Sequence, residues 1–110
     1  MEKYGDKIGA YILDKETGEA RIAETREEWG EFMERPDSRR LASDKFDGLH
    51  VSTVFLGIDY FGGKESPILW ETMIFGSEKR ELSGFQERYR TREEALEGHA
   101  RAVLFAKENI

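Results

Sequence analysis

The sequence predicts an α+β domain, a mainly antiparallel sheet of four to five strands with two helices packed on one face, in the order ββαβββα. Three observations lead there. Two runs, residues 49–58 (LHVSTVFLGI) and 68–75 (ILWETMIF), are rich in β-branched and aromatic residues and flank a turn-rich insert, residues 59–67 (DYFGGKESP). The tetrapeptide Thr-Arg-Glu-Glu occurs at 25–28 and again at 91–94, each time as a capping box opening a helix. A pair of candidate strands precedes each box. With 110 residues the chain fits one domain, 1–110.

In chain order, residues 9–14 (GAYILD) and 18–23 (GEARIA) flank Lys15-Glu16-Thr17 and read as a hairpin whose turn uses positive φ at Gly18. In the first box the Thr25 hydroxyl accepts from the Glu28 amide and the Glu28 carboxylate reaches back to the Thr25 amide. Trp29, Phe32 and Met33 then form one apolar stripe, and Pro36 ends the helix. Residues 37–48 (DSRRLASDKFDG) are polar apart from Leu41 and Phe46. They fit an irregular connection or a further helical turn pinned by those two side chains.

Alternate positions of 49–58 place His50, Ser52, Val54, Leu56 and Ile58 on one face and Leu49, Val51, Thr53, Phe55 and Gly57 on the other. Both sets are largely apolar, which predicts a central strand covered on both sides. Folding at Gly62-Gly63 sets Glu71 opposite about Phe55. A strand at 85–90 follows the linker 76–84, and the second helix runs through Ala95, Leu96, His99, Ala100, Val103 and Leu104 toward Lys107. Gly98 marks a close helix-to-sheet contact. The chain reads as two ββα units, or as convergent capping chemistry at two unrelated helix starts.

Composition excludes several function classes. There is no cysteine, hence no disulfide, thiolate metal site or cysteine nucleophile. No stretch approaches the roughly 20 apolar residues that span a bilayer, and the first residues lack the apolar core of a signal peptide, so a soluble protein of the cytoplasm is expected, with no membrane partner. The net charge of −6 argues against direct nucleic-acid binding and favours a protein partner with a basic surface. Lys79, Arg80, Arg88, Arg90 and Arg92 interleave with glutamates, which cancels their field. Gly62-Gly63-Lys64 lacks the spacing of a phosphate-binding loop.

Two sites are weighed. Tyr60 and Phe61, at the tip of the central hairpin with Asp59, Lys64 and Glu65, either fold back into the core or project to anchor a partner. His50, Glu71 and His99, with Asp59 assisting, are the residue types of a zinc or manganese hydrolase. Strand parity separates His50 from Asp59, so no metal or other cofactor is expected, and His99 reads as a histidine at the edge of the core. A binding protein is preferred over an enzyme, and a homodimer through an uncovered sheet face is the third option.

The segments VSTVFLGIDY (51–60), ILWETMIFG (68–76) and RYRTREEALEGHA (88–100) resemble a group of small phage and prophage proteins over roughly the last 60 residues. The resemblance implies an accessory protein of the host-cell cytoplasm that acts by stoichiometric binding of a host or phage protein, including inhibition of a defence complex of the CRISPR type.

Overall fold

The computed structural model describes residues 2–35, 37–59 and 67–110, with the side chain of Lys7 left out. Ten elements follow one another: α1 (Tyr4–Ile8), β1 (Tyr11–Leu13), β2 (Ala20–Ile22), α2 (Arg26–Glu34), β3 (Arg40–Phe46), β4 (Leu49–Phe55), β5 (Trp70–Phe75), α3 (Arg80–Ser83), β6 (Gln86–Tyr89) and α4 (Arg92–Glu108). The class is α+β, as the two apolar runs and the capping boxes predict. β3-β4-β5-β6 form a four-stranded antiparallel sheet in sequence order, and β1-β2 form a separate hairpin.

β3 is the main departure from expectation. Residues 40–46 pair along β4 instead of forming a loop or helical turn. Arg40, Ser43, Asp44 and Lys45 are exposed, as suits an edge strand whose charges discourage further pairing. A bulge between Arg40 and Ala42 breaks its alternation. The overlooked signal is Asp47-Gly48, both at positive φ (49° and 79°), the two-residue turn that best matches strand twist. Two short helices also lie outside the expectation. α1 is held by the Asp6 carboxylate on the Lys3 amide at 2.8 Å, and α3 plugs Leu82, 1% exposed, into the core.

Pairing of β4 with β5 is antiparallel, as the sequence predicts, but Glu71 stands opposite Val54 and Trp70 opposite Phe55. One face of β4 (Leu49, Val51, Thr53, Phe55) is buried under α4. The other (His50, Ser52, Val54) is only half-buried, so the expected cover on both sides is absent among the described residues. Of the two helices expected on one face, α4 spans that face and α2 reaches it through Phe32, whose ring meets Phe55 edge-on at 5.8 Å.

α4 opens on a complete capping box between Thr91 and Glu94. In the first box Thr25 caps the Glu28 amide, but the Glu28 carboxylate accepts from the Glu24 amide at 2.9 Å and from Arg21 instead of reaching Thr25. The face α4 buries is also rotated from the one its larger apolar residues predict. Ala95, Gly98, His99, Ala102 and Ala106 face the sheet, while Leu96 and Leu104 are 40% and 60% exposed. Trp70, Phe55 and Tyr89 already fill the sheet side, and only small residues let the helix approach it. Gly98 makes the contact the sequence predicts: a Cβ there would overlap the Tyr89 ring.

Gly98→Ala is therefore expected to destabilise the fold by about 1–3 kcal/mol through overpacking, although alanine is the better helix former. Urea denaturation checks this; a variant as stable as the parent would contradict the packing account.

Candidate functional site

His99 is 6% exposed and sits in a polar chain that crosses every strand of the main sheet. Its Nε2 lies 2.7 Å from Asp44 Oδ2 on β3, and its Nδ1 lies 2.7 Å from Thr53 Oγ1 on β4. Thr53 bonds Thr72 on β5, and the Tyr89 hydroxyl on β6 donates to Thr72 at 3.1 Å. Hydrogen-bond logic gives the chain a direction. Because the Tyr89 hydroxyl donates to Thr72, Thr72 is assigned as donor to Thr53 and Thr53 as donor to His99 Nδ1, which leaves Nε2 to donate to Asp44. Burial raises the Tyr89 phenol above its ordinary range and keeps it a donor.

Asp44, His99 and Thr53 have the connectivity of a nucleophilic triad. Thr53, however, is 0% exposed and its hydroxyl is already bonded on both sides, so no substrate reaches it. The chain does structural work: it satisfies every polar group beneath α4, and among the described residues no buried side-chain polar atom lacks a partner.

The remaining predicted residues disperse. His50 is on the open face of the sheet, its Nε2 2.7 Å from Ser43 Oγ, whereas His99 is on the covered face. Glu71 is also on the open face, accepting from Arg88 Nε at 2.9 Å and Gln86 Nε2 at 2.8 Å. The sheet thus separates the proposed ligands, and among the described residues no three His, Asp or Glu side chains are placed to share a metal ion. Asp59 pins the ends of the insert: its amide donates to the Gly9 carbonyl at 2.9 Å and its Oδ1 accepts from the Ile68 amide. Tyr60, Phe61, Lys64 and Glu65 lie outside the described residues.

The helix α2 begins at Thr25 as predicted, and the feature that sequence reasoning missed is its outward face. No residue of α2 is fully buried. It is held to the body by the Trp29 indole donating to the Gly57 carbonyl at 3.0 Å, and by a two-pronged Arg21–Glu28 pair at 2.9 and 3.2 Å. Arg21 holds the Glu28 carboxyl below its usual range, helped by the Glu24 amide. Backbone amides of Thr17 and Glu16 do the same for Asp14, which lies 3.6 Å from Arg21. Between the hairpin and α2 lies a cleft of about 540 Å³ whose floor includes Ile12, Leu13 and Phe32.

The outer face of α2 breaks two local rules. Gly30 sits mid-helix, where glycine costs about 1 kcal/mol relative to alanine, yet a Cβ there would meet nothing within 4 Å. Glu27, Glu31 and Glu34 flank it on consecutive turns, all exposed, and none makes an ion pair among the described residues. Glu31 and Glu34 also occupy the C-terminal half, where the helix dipole disfavours acid, and the last turn holds no base. The result is an acidic notch over Gly30, rimmed by Arg26, Glu27, Glu31 and Glu34. A glycine with no contact to protect, next to glutamates spaced by four and three, is the signal in the sequence that marks it.

No protein-family model, no curated protein and no solved structure matches the chain. No helix among the described residues is long and apolar enough to cross a membrane.

Two outcomes follow. Thr53→Val, nearly isosteric, leaves His99 Nδ1 without its donor and is expected to cost about 1–3 kcal/mol in chemical denaturation; an unchanged midpoint would contradict the relay. Burial, then Lys45, Arg40 and His99, lowers the His50 pKa in the fold, so the unfolded chain takes up this proton more readily. Stability should therefore fall as pH drops below the ordinary histidine value of about 6.5, and His50→Asn should lose less between about pH 7 and 5 than the parent. Parallel pH–stability curves would show that His50 does not contribute.

Proposed function

We propose that the protein acts by stoichiometric binding of a partner protein, presenting the acidic notch of α2 to a basic segment of that partner. The observation that carries this reading is Gly30 between Glu27, Glu31 and Glu34: a local stability cost with no packing gain, joined to carboxylates that make no ion pair among the described residues. Elements that depart from local rules without a structural return are where function is sought. An arginine or lysine entering over Gly30 gains three carboxylates and the helix C-terminal dipole together, and the neighbouring cleft offers an apolar floor to an adjoining side chain.

The net charge of −6 points to the same class of partner. The phage resemblance suggests the setting, a host complex that handles nucleic acid through basic grooves, such as a CRISPR effector, whose inhibition would need binding alone.

The test is affinity capture from host or infected cells with the parent chain, with Glu27→Gln/Glu31→Gln/Glu34→Gln and with Gly30→Ala. The triple variant should lose the parent's partner while remaining folded, and association should weaken as salt is raised. Gly30→Ala should bind more weakly although the helix gains about 1 kcal/mol in stability. Recovery of the same partner at parental yield by the triple variant would overturn the proposal.

A further inference from the structure

The outward face of α4 carries a pattern that neither the core nor the acidic notch uses. Leu96 and Leu104 are 40% and 60% exposed and lie four residues either side of Ala100, which is also exposed. Glu93 and Lys107 lie seven residues either side of the same alanine. At 3.6 residues per turn all five fall on one side of the helix, away from Ala95, Gly98, Ala102 and Ala106, which face the sheet. The helix dipole accounts for acid early and base late. It does not account for two large leucines left in water between them.

We infer that this face is a self-association surface, on which α4 packs antiparallel against α4 of a second copy about a two-fold axis near Ala100. An antiparallel pair related by such an axis brings residue 100 + k of one copy level with residue 100 − k of the other. Leu96 then meets Leu104 at roughly 6 Å on each side of the axis, and Glu93 meets Lys107 at roughly 10 Å. Ala100 falls at the crossing, where a small side chain permits close approach.

Charge selects the second copy as occupant, in this orientation. Antiparallel packing joins opposite charges at both ends, whereas parallel packing would set Glu93 against Glu93 and Lys107 against Lys107. Glu93 makes no ion pair among the described residues. The Lys107 ammonium lies 5.6 Å from the centre of the Phe46 ring, and it makes no ion pair among the described residues. The open face of the sheet is the poorer self-partner, since Arg40, Lys45 and Arg88 outnumber Glu71 there and would confront themselves.

A single 17-residue helix offers less area than a standard interface, so the dimer is weak and dependent on concentration. Sedimentation velocity from about 10 µM to about 1 mM should show a monomer–dimer equilibrium that weakens with salt, the range in which small interfaces are read. Glu93→Lys and Lys107→Glu should each raise the dissociation constant about tenfold or more, and the double swap should return it to within about threefold of the parent. Because the chain has no cysteine, Ala100→Cys should form an intermolecular disulfide under mild oxidation, while Ser83→Cys, exposed on α3, should not. A monomer at every concentration, a double swap no better than the single changes, or cross-linking equal at the two positions would each overturn the inference.

Discussion

The chain of hydrogen bonds from Asp44 through His99, Thr53 and Thr72 to Tyr89 is the constraint on which the body of the molecule depends. It takes one residue from each strand of the main sheet and one from α4, and all five are met only when four strands and a helix are in register together. Sliding any strand by one residue would turn its hydroxyl or carboxylate to the opposite face and leave an imidazole or hydroxyl buried without a partner. Apolar neighbours alone would tolerate small shifts at little cost; a directional chain does not. The tightness of the helix follows from the same need. Gly98 and the alanines of α4 bring the imidazole within reach of Thr53 while leaving room for the Tyr89 ring.

α2 is built by the opposite economy. It buries no residue completely, and it rests on the Trp29 indole hydrogen bond, on ring contacts of Trp29 with Tyr4 and of Phe32 with Phe55, on the Ser38 hydroxyl bonded to the Phe32 carbonyl, and on an arginine clamp that also secures the β1–β2 turn. Its outward side keeps a glycine, and glutamates without an ion pair among the described residues, that a helix selected for stability would replace. The contrast with α4 is one of packing: α4 sets small residues tightly against the sheet, while α2 lies on the body with no residue fully buried.

The surface is correspondingly uneven in charge. The exposed side of α2 is acidic, the open face of the sheet carries Arg40, Lys45 and Arg88 around the bonded Glu71, and α4 runs from acidic to basic along its length. A net charge of −6 hides this arrangement, because it averages over faces that meet different surroundings.

How much of this was legible beforehand can be judged residue by residue. Strand pairing within 49–75, both helix starts and the close contact at Gly98 follow from local rules, because β-branched runs, capping boxes and a mid-helix glycine each express chemistry among near neighbours. β3 did not follow, since an edge strand exposes one face and shows little alternation, and the Asp47-Gly48 turn was its only clear mark. Of the candidate sites, the dispersal of His50, Glu71 and His99 depends on strand parity, which sequence shows, and on a register one residue away from the expected one, which it does not. The amino-acid order by itself determined which segments are strands and helices wherever their own side chains decide it. Tertiary structure alone decided which side of α4 is buried, which partners His99 finds and which glutamates are paired among the described residues, because those outcomes depend on the volume and charge presented by elements distant in the chain.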